Sequence, residues 1–216
     1  MRRARPLPWL KPGVFVGALT PLAAILLRAW RGELGANPIA QALNQLGLVA
    51  LVFLVAALAC TPLKTLFGWT WPIRLRRMLG LFGFFYGLLH VSTYTVLDQV
   101  LDWQAIWDDV TKRKFIFVGF AAFVLLVPLA ATSTSGALKR LGYARWKRLH
   151  RLAYVAPLLG VIHFTWRVKR DVREPAAYAV VLGALLLVRL AAYLRARLSM
   201  PASAGSPRHP AGTAHS

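Results

Sequence analysis

The stretch KRLHRLAYVAPLLGVIHFTW, residues Lys147 to Trp166, decides the kind of fold that this chain adopts. Between Leu152 and Trp166 it contains no charged residue, which is the composition of a segment that enters a bilayer. It also contains His150 and His163. Histidine is rare within membrane spans, because an imidazole in hydrocarbon needs partners for its ring nitrogens. These two histidines are therefore candidates for a functional site.

The same apolar composition extends through most of the chain. Of its 216 residues, 57% are hydrophobic and 16% are charged. A helix needs about 20 apolar residues to span a hydrocarbon core. Runs of that kind predict helices at roughly 12–30, 43–61, 79–97, 114–131, 150–167 and 176–195. The sequence therefore predicts an all-α membrane protein, with one domain over residues 1–200 that forms a bundle of six transmembrane helices. The tail, 201–216, is rich in Pro, Ala, Gly and Ser and is predicted to be disordered.

The charged residues predict how the bundle is oriented. Stretches 1–11, 64–77, 139–151 and 189–208 contain 18 of the 27 Lys and Arg residues and no acidic residue. All seven acidic residues lie in the alternate connections. By the positive-inside rule, both termini are expected on the cytoplasmic side. The same rule explains the net charge of +20, so no nucleic-acid partner is needed to account for it, and the basic residues are expected to face membrane lipid.

Two histidines on different predicted helices are expected to lie at similar depths. His90 is about 16 Å along its helix from the inner boundary, and His163 lies toward the outer end of its own helix. They are therefore expected to face each other across the bundle. His150 lies about 20 Å further inward than His163, too far to bind the same metal ion.

Glycines precede both histidines on the same helical face. Gly87 comes three residues before His90, and Gly160 comes three residues before His163. Together with Gly83 they are expected to leave a flat recess beside each imidazole, of the kind that a porphyrin edge requires. The alternative is that Gly83 and Gly87 form a G-x-x-x-G face for helix packing.

The ligand types within the predicted spans limit the choice of metal. They contain no carboxylate, and the single cysteine, Cys60, excludes a thiolate cluster. Two neutral imidazoles are a sufficient axial pair for a b-type haem, which brings four nitrogens of its own. We therefore expect His90 and His163 to bind one haem.

The chain resembles the MsrQ (YedZ) family, within the ferric-reductase-like transmembrane domains. The resemblance rests on ACTPLK at the end of the second predicted helix, RRMLGLFGFFYGLLHVSTY in the third, and the block TSTSGALKRLGYARWKRLHRLAYVAPLLGVIHFTW. It implies a multi-pass subunit of the bacterial inner membrane that passes electrons from the quinone pool to a periplasmic molybdopterin methionine sulfoxide reductase, for the repair of oxidised proteins. It also implies haem b and flavin mononucleotide (FMN) as cofactors, and the catalytic step is then on the partner.

The resemblance carries the haem histidines onto His90, His150 and His163. Related ferric reductases and NADPH oxidases use paired histidines for two stacked haems, but the inner position on the third helix is Arg77 here. The role of His150 is therefore left open between a haem ligand, a flavin contact and a propionate contact. The cations around it, which suit an anionic cofactor group or merely obey the positive-inside rule, are Lys147, Arg148 and Arg151.

Other functions are compatible with parts of the pattern. A transporter or channel could use histidines as proton or metal relays, although no Asp or Glu lies within a predicted span. A related b-type cytochrome ferric reductase would have the same helices, but the chain contains no dinucleotide-binding fingerprint. A structural membrane anchor would explain the topology and would give no reason for His90 in the middle of a span.

Overall fold

A computed structural model describes residues 8–168 and 171–198, and within these ranges the chain is helical with no β-strand. The arginines of the N-terminal arm and the tail predicted to be disordered lie outside the described residues. Short 3₁₀ and π-helical turns, Pro72–Arg74 and Thr93–Asp98, flank the third helix. The α-helices are α1 (Leu10–Trp30), α2 (Pro38–Phe67), α3 (Arg76–Ser92), α4 (Trp103–Lys112), α5 (Lys114–Ala131), α6 (Ser135–Leu141), α7 (Tyr143–Leu149), α8 (Leu152–Arg167) and α9 (Arg173–Leu198).

Five of these helical segments are long and apolar enough to cross a membrane: α1, α2, α3 with its π-helical turn, α5 and α9. The chain is thus an all-helical, multi-pass membrane protein. The fifth predicted span corresponds to α8, which has 16 residues. At 1.5 Å per residue α8 is about 24 Å long, shorter than a hydrocarbon core of about 30 Å.

The second helix is longer than the apolar run that predicts it. It begins at Pro38, where the side chain of Asn37 accepts a hydrogen bond from the backbone N–H of Ala40 at 3.0 Å. It ends at Gly68, whose φ of +70° is the left-handed conformation that closes many helices. These capping residues are polar or small, so hydropathy alone does not reveal how far the helix extends.

The bundle is organised around α2, which packs against α1, α3, α8 and α9. The closest pairs of helices are α2 with α3 and α5 with α8. Contacts between α3 and α5 join these two pairs. Tyr86, on α3, is fully buried and its hydroxyl donates to the carbonyl of Ala18 at 2.7 Å. The same hydroxyl accepts from the N–H of Leu22 at 3.1 Å. This tyrosine therefore fixes α1 against α3.

An arginine inside α9 ties that helix to α2. Arg189 donates to the carbonyl of Leu58 at 2.6 Å and to the hydroxyl of Tyr154 at 2.8 Å. In a regular helix the carbonyl of Leu58 would accept from residue 62, which is Pro62 and has no N–H. Arg189 thus satisfies a carbonyl that a proline leaves without its donor.

Three short helices were not predicted as separate elements: α4, α6 and α7. The first, α4, begins where the side chain of Asp102 accepts from the N–H groups of Gln104 and Ala105, both at 3.0 Å. Gly142, with a φ of +72°, separates α6 from α7. These helices lie in the connections between the spans, where charged residues hide the helical pattern from a hydropathy analysis.

Candidate functional site

A cavity lies at the end of the bundle where α2 and α5 begin and where α3 and α8 end. Its volume, including the open mouth, is about 780 Å³. Its wall is almost entirely apolar, and we call it the first cavity. The histidines and glycines that line it are His90, His163, Gly47, Gly87, Gly119 and Gly160.

The structure brings His90 and His163 together from opposite helices of this cavity. Their ring centroids are 6.2 Å apart, and the ring planes are inclined by 81°. Two imidazoles on opposite sides of one metal ion, each with a metal–nitrogen bond of about 2 Å, have centroids about 6 Å apart. The spacing therefore suits a pair of axial ligands on a single metal.

Backbone hydrogen bonds fix the tautomer of both rings. The Nδ1 atom of His90 lies 2.9 Å from the carbonyl oxygen of Leu43 on α2. The Nδ1 atom of His163 lies 2.6 Å from the carbonyl oxygen of Phe115 on α5. Because a carbonyl oxygen can only accept, each Nδ1 carries the proton and each Nε2 keeps its lone pair. Metal-bound histidines are oriented in this way by a partner on the other ring nitrogen.

A glycine on the neighbouring helix makes room for each imidazole. Gly47 comes four residues after Leu43, and Gly119 comes four residues after Phe115, so each glycine lies one turn beyond the residue whose carbonyl accepts from the imidazole. A Cβ atom at Gly47 would lie 3.0 Å from Nδ1 of His90, and one at Gly119 would lie 2.5 Å from Nδ1 of His163. Neither glycine was predicted from the sequence, because both lie on helices other than those that carry the histidines.

Two of the three glycines predicted to lie beside the histidines line the first cavity, and the third does not. Gly87 and Gly160 line the first cavity. Gly83 does not line it; a Cβ atom there would lie 2.6 Å from Cδ2 of Leu54 on α2. Gly83 therefore allows close packing of α2 against α3, which is the alternative that the G-x-x-x-G spacing left open.

The donor set limits what the first cavity can bind. Within the part of the chain that the structure describes, no group of three or more His, Cys, Asp or Glu side chains comes together as a metal site. A zinc or copper ion held by protein ligands alone needs such a group. A metal ion that brings its own equatorial ligands needs only the two imidazoles and an apolar wall, and both are present.

Comparison with known proteins shows the family of this chain. Residues 17–161 match the family model described as "Ferric reductase like transmembrane component". A protein of Rhodospirillum rubrum named protein-methionine-sulfoxide reductase heme-binding subunit MsrQ is 53% identical over 86% of this chain and 89% of its own length. Its namesake in Deinococcus radiodurans is 48% identical over 93% of this chain and 98% of its own. The chain belongs to the MsrQ family.

This MsrQ-family chain has a second cavity at the opposite end of the bundle, where α3 and α8 begin. Its volume is about 620 Å³, again including the open mouth. Leu54 and Leu126 line both cavities and form a wall between them. The polar side chains that line the second cavity are those of Arg76, Arg77, Ser133 and His150.

His150 has different surroundings from the other two histidines. Its Nε2 lies 3.0 Å from the hydroxyl of Thr132, which itself donates to the carbonyl of Pro128 at 2.6 Å. Because that hydroxyl has only one hydrogen, Nε2 of His150 is the donor in their contact. The imidazole also stacks on Trp146, with ring centroids 4.0 Å apart. In this arrangement Nδ1 is the ring nitrogen that keeps its lone pair.

The cations predicted around His150 do not line the second cavity. Lys147, Arg148 and Arg151 are exposed and are not among the residues that line the second cavity. Arg76 and Arg77, from the start of α3, line it instead. In the sequence these two arginines belong to the basic cluster before the third predicted helix. The positive-inside rule alone accounts for that cluster, so the sequence contains no separate reason to place them at a site.

Proposed function

We propose that this protein is a haem-binding electron-transfer subunit of the bacterial inner membrane. It takes electrons from the quinone pool or a flavin and passes them to a periplasmic molybdopterin methionine sulfoxide reductase, which repairs oxidised proteins. The observation that carries the proposal is the pair His90 and His163, with centroids 6.2 Å apart and both Nδ1 atoms engaged by backbone carbonyls. The names of its close relatives support haem as the group that this pair binds.

Haem b fits the first cavity by the chemistry of its donors and by the apolar residues around them. His90 and His163 would hold the iron through Nε2, and Gly87 and Gly160, one turn before each histidine, also line the cavity. When bound, the haem supplies one-electron transfer. The chain's own part is to orient both imidazoles, to keep their Nε2 atoms unprotonated and to surround the site with apolar side chains.

The reduction of the sulfoxide itself is assigned to the partner. The described residues contain no cluster of metal-ligating side chains beyond the histidine pair. An absorption spectrum of the purified protein tests the function. We expect sharp reduced bands of a b-type haem that disappear when the oxidised reductase partner and a methionine sulfoxide substrate are added. A folded but colourless protein would refute the proposal and would favour a histidine-based transporter or channel.

The proposed orientation has six spans and both termini in the cytoplasm. The span that this adds to the five long apolar helices is α8, the fifth in chain order, which packs along α5 and ends at the same side of the bundle as the first cavity. The acidic connection that contains Asp98, Asp102, Asp108 and Asp109 lies at that side, which we assign to the periplasm.

Reporter fusions test this orientation. A fusion after Asp109 is expected to be periplasmic, and a fusion after Arg140 is expected to be cytoplasmic, because the basic connections stay inside. Alkaline phosphatase and green fluorescent protein report the two locations in opposite ways and serve as each other's control. The reverse pattern would overturn the assignment of inner and outer sides.

We propose that the second cavity binds the inner redox group, either FMN or a second haem. Arg76 and Arg77 line it, and guanidinium groups form strong charge-assisted hydrogen bonds with phosphate and carboxylate groups. The exposed cations Lys147, Arg148 and Arg151 remain candidates to meet such a group at the cavity mouth. Because Leu54 and Leu126 line both cavities, an inner donor would lie close to the outer haem.

His150 is expected to bind or orient this inner redox group. We predict that His150→Ala keeps the haem between His90 and His163 and that reduction of this haem by quinol slows about tenfold or more, as expected when a residue that orients a cofactor is lost. Haem content and the rate of haem reduction are measured in the same preparation. Arg145→Ala, an exposed change in the same basic segment, is the control.

The outcomes separate the possible roles of His150. Full haem content with an unchanged rate would make it a structural residue that joins Thr132 to Trp146. Loss of half the haem would show that it ligates a second haem, whose other ligand would be sought among the residues of the second cavity.

A further inference from the structure

The mouth of the first cavity contains a cation held in a fixed position. Nη1 of Arg167 donates to Oδ1 of Asn44 at 2.7 Å, and both residues line the cavity. The guanidinium carbon of Arg167 also lies 5.5 Å from the ring centroid of Phe164. Arg167 is four residues beyond His163 on the same face of α8, so it lies about 6 Å further toward the outer end.

No acidic side chain within hydrogen-bonding distance neutralises this cation among the described residues. The ion pairs formed there join Lys112 to Asp108 and Arg113 to Asp109, and neither includes Arg167. The hydrogen bond to Asn44 uses one of its five N–H donors and leaves the positive charge in place. A guanidinium that borders an apolar cavity is suited to bind a carboxylate, because the fork of N–H groups matches the two oxygens.

We infer that Arg167, held by Asn44, is a carboxylate-binding subsite for the cofactor of the first cavity. The inference rests on the proposed function, since haem is the cofactor whose two carboxylates would bind there. In that case Arg167 would hold the haem carboxylates at the mouth of the cavity, and Leu54 and Leu126 would supply apolar surface at its far end. The positive charge of Arg167 would also stabilise the reduced, more negatively charged state of the site more strongly than a neutral residue would, and so raise its reduction potential.

The experiment compares haem with haem dimethyl ester, in which both carboxylates are uncharged. Apoprotein is prepared from haem-deficient cells and titrated with each compound, and binding is followed by absorbance. We expect the wild-type protein to bind haem about tenfold or more tightly than the ester, because a charge-assisted hydrogen bond contributes on that scale. Arg167→Gln should lose this preference and bind the ester as well as the wild-type protein does. Arg167→Lys should keep part of the preference.

A matched control is available on the same side of the bundle. Arg173 is the first residue of α9 and does not line the cavity, so Arg173→Gln should keep the full preference for haem. If Arg167→Gln weakens haem and ester equally, the arginine supports the fold alone and the inference is wrong. If wild-type protein binds haem and ester equally, the inference is also wrong, and the cation serves an anionic lipid or partner instead. If wild-type protein binds neither compound, the proposed function itself has failed.

Discussion

Replacing His163 with alanine is expected to lower the haem content of the purified protein by at least about tenfold. The change removes an axial ligand, and even the loss of a residue that only orients a ligand costs about 10- to 100-fold in metal affinity. His90→Ala should have a similar effect, because the rings of His90 and His163 lie across one cavity at the spacing of a trans pair. Haem is measured per protein, and any haem that remains should no longer show the low-spin spectrum of a bis-histidine site.

Two comparisons make this result specific to ligation. Thr165→Ala is the control, since Thr165 is exposed on α8 and its hydroxyl donates within its own helix to Val161 at 2.8 Å. Free imidazole added to the His163→Ala protein should restore part of the low-spin spectrum by occupying the space of the lost ring. If both histidine variants keep an unchanged low-spin spectrum, the pairing of these two ligands is wrong.

Adding one methyl group at Gly119 is expected to disturb the site almost as much as replacing His163 with alanine does. The new Cβ would lie 2.5 Å from Nδ1 of His163, so Gly119→Ala must push the imidazole away from the carbonyl oxygen of Phe115. We expect haem affinity to fall about 10- to 100-fold, together with a changed low-spin spectrum. Gly47→Ala should have a smaller effect, because its Cβ would lie 3.0 Å from Nδ1 of His90.

The test is whether Gly119→Ala lowers haem affinity more than Gly47→Ala does. Alanine favours a helix over glycine by about 1 kcal/mol, so weaker helices cannot explain a loss of haem. Gly183→Ala, on α9, is the control, because no atom lies within 4 Å of the Cβ it would add. If Gly119→Ala binds haem as the wild-type protein does, the imidazole of His163 is not held against α5 as the structure places it.

The histidines of the first cavity could be predicted because their chemistry is unusual for their surroundings. An imidazole in a long apolar run is conspicuous, and helix rise sets its approximate depth from the sequence. The partners of His90 and His163 could not be predicted in the same way. They are backbone carbonyls of Leu43 and Phe115, and every residue has a carbonyl. Only the packing of one helix on another selects which carbonyl is used.

The packing partners of the predicted glycines could not be predicted from the sequence either. Gly83, Gly87 and Gly160 share the spacing of a single helical face with a histidine, yet only Gly87 and Gly160 line the cavity. Gly83 instead accommodates Leu54, part of the wall between the two cavities. Helical periodicity tells which residues share a face, and it does not tell which neighbouring helix meets that face at each turn.

By itself the sequence determined that this is a helical, multi-pass membrane protein, because apolar runs and clustered charges leave a chain little choice in a bilayer. The tertiary structure decided the rest. It set α8 against α5 and α3 against α2, which brought His90 and His163 together in one cavity. It also placed Arg76 and Arg77 in the lining of the second cavity and left Lys147 exposed, although all three belong to similar basic clusters in the sequence. Such contacts join residues far apart in the chain, and local composition does not contain them.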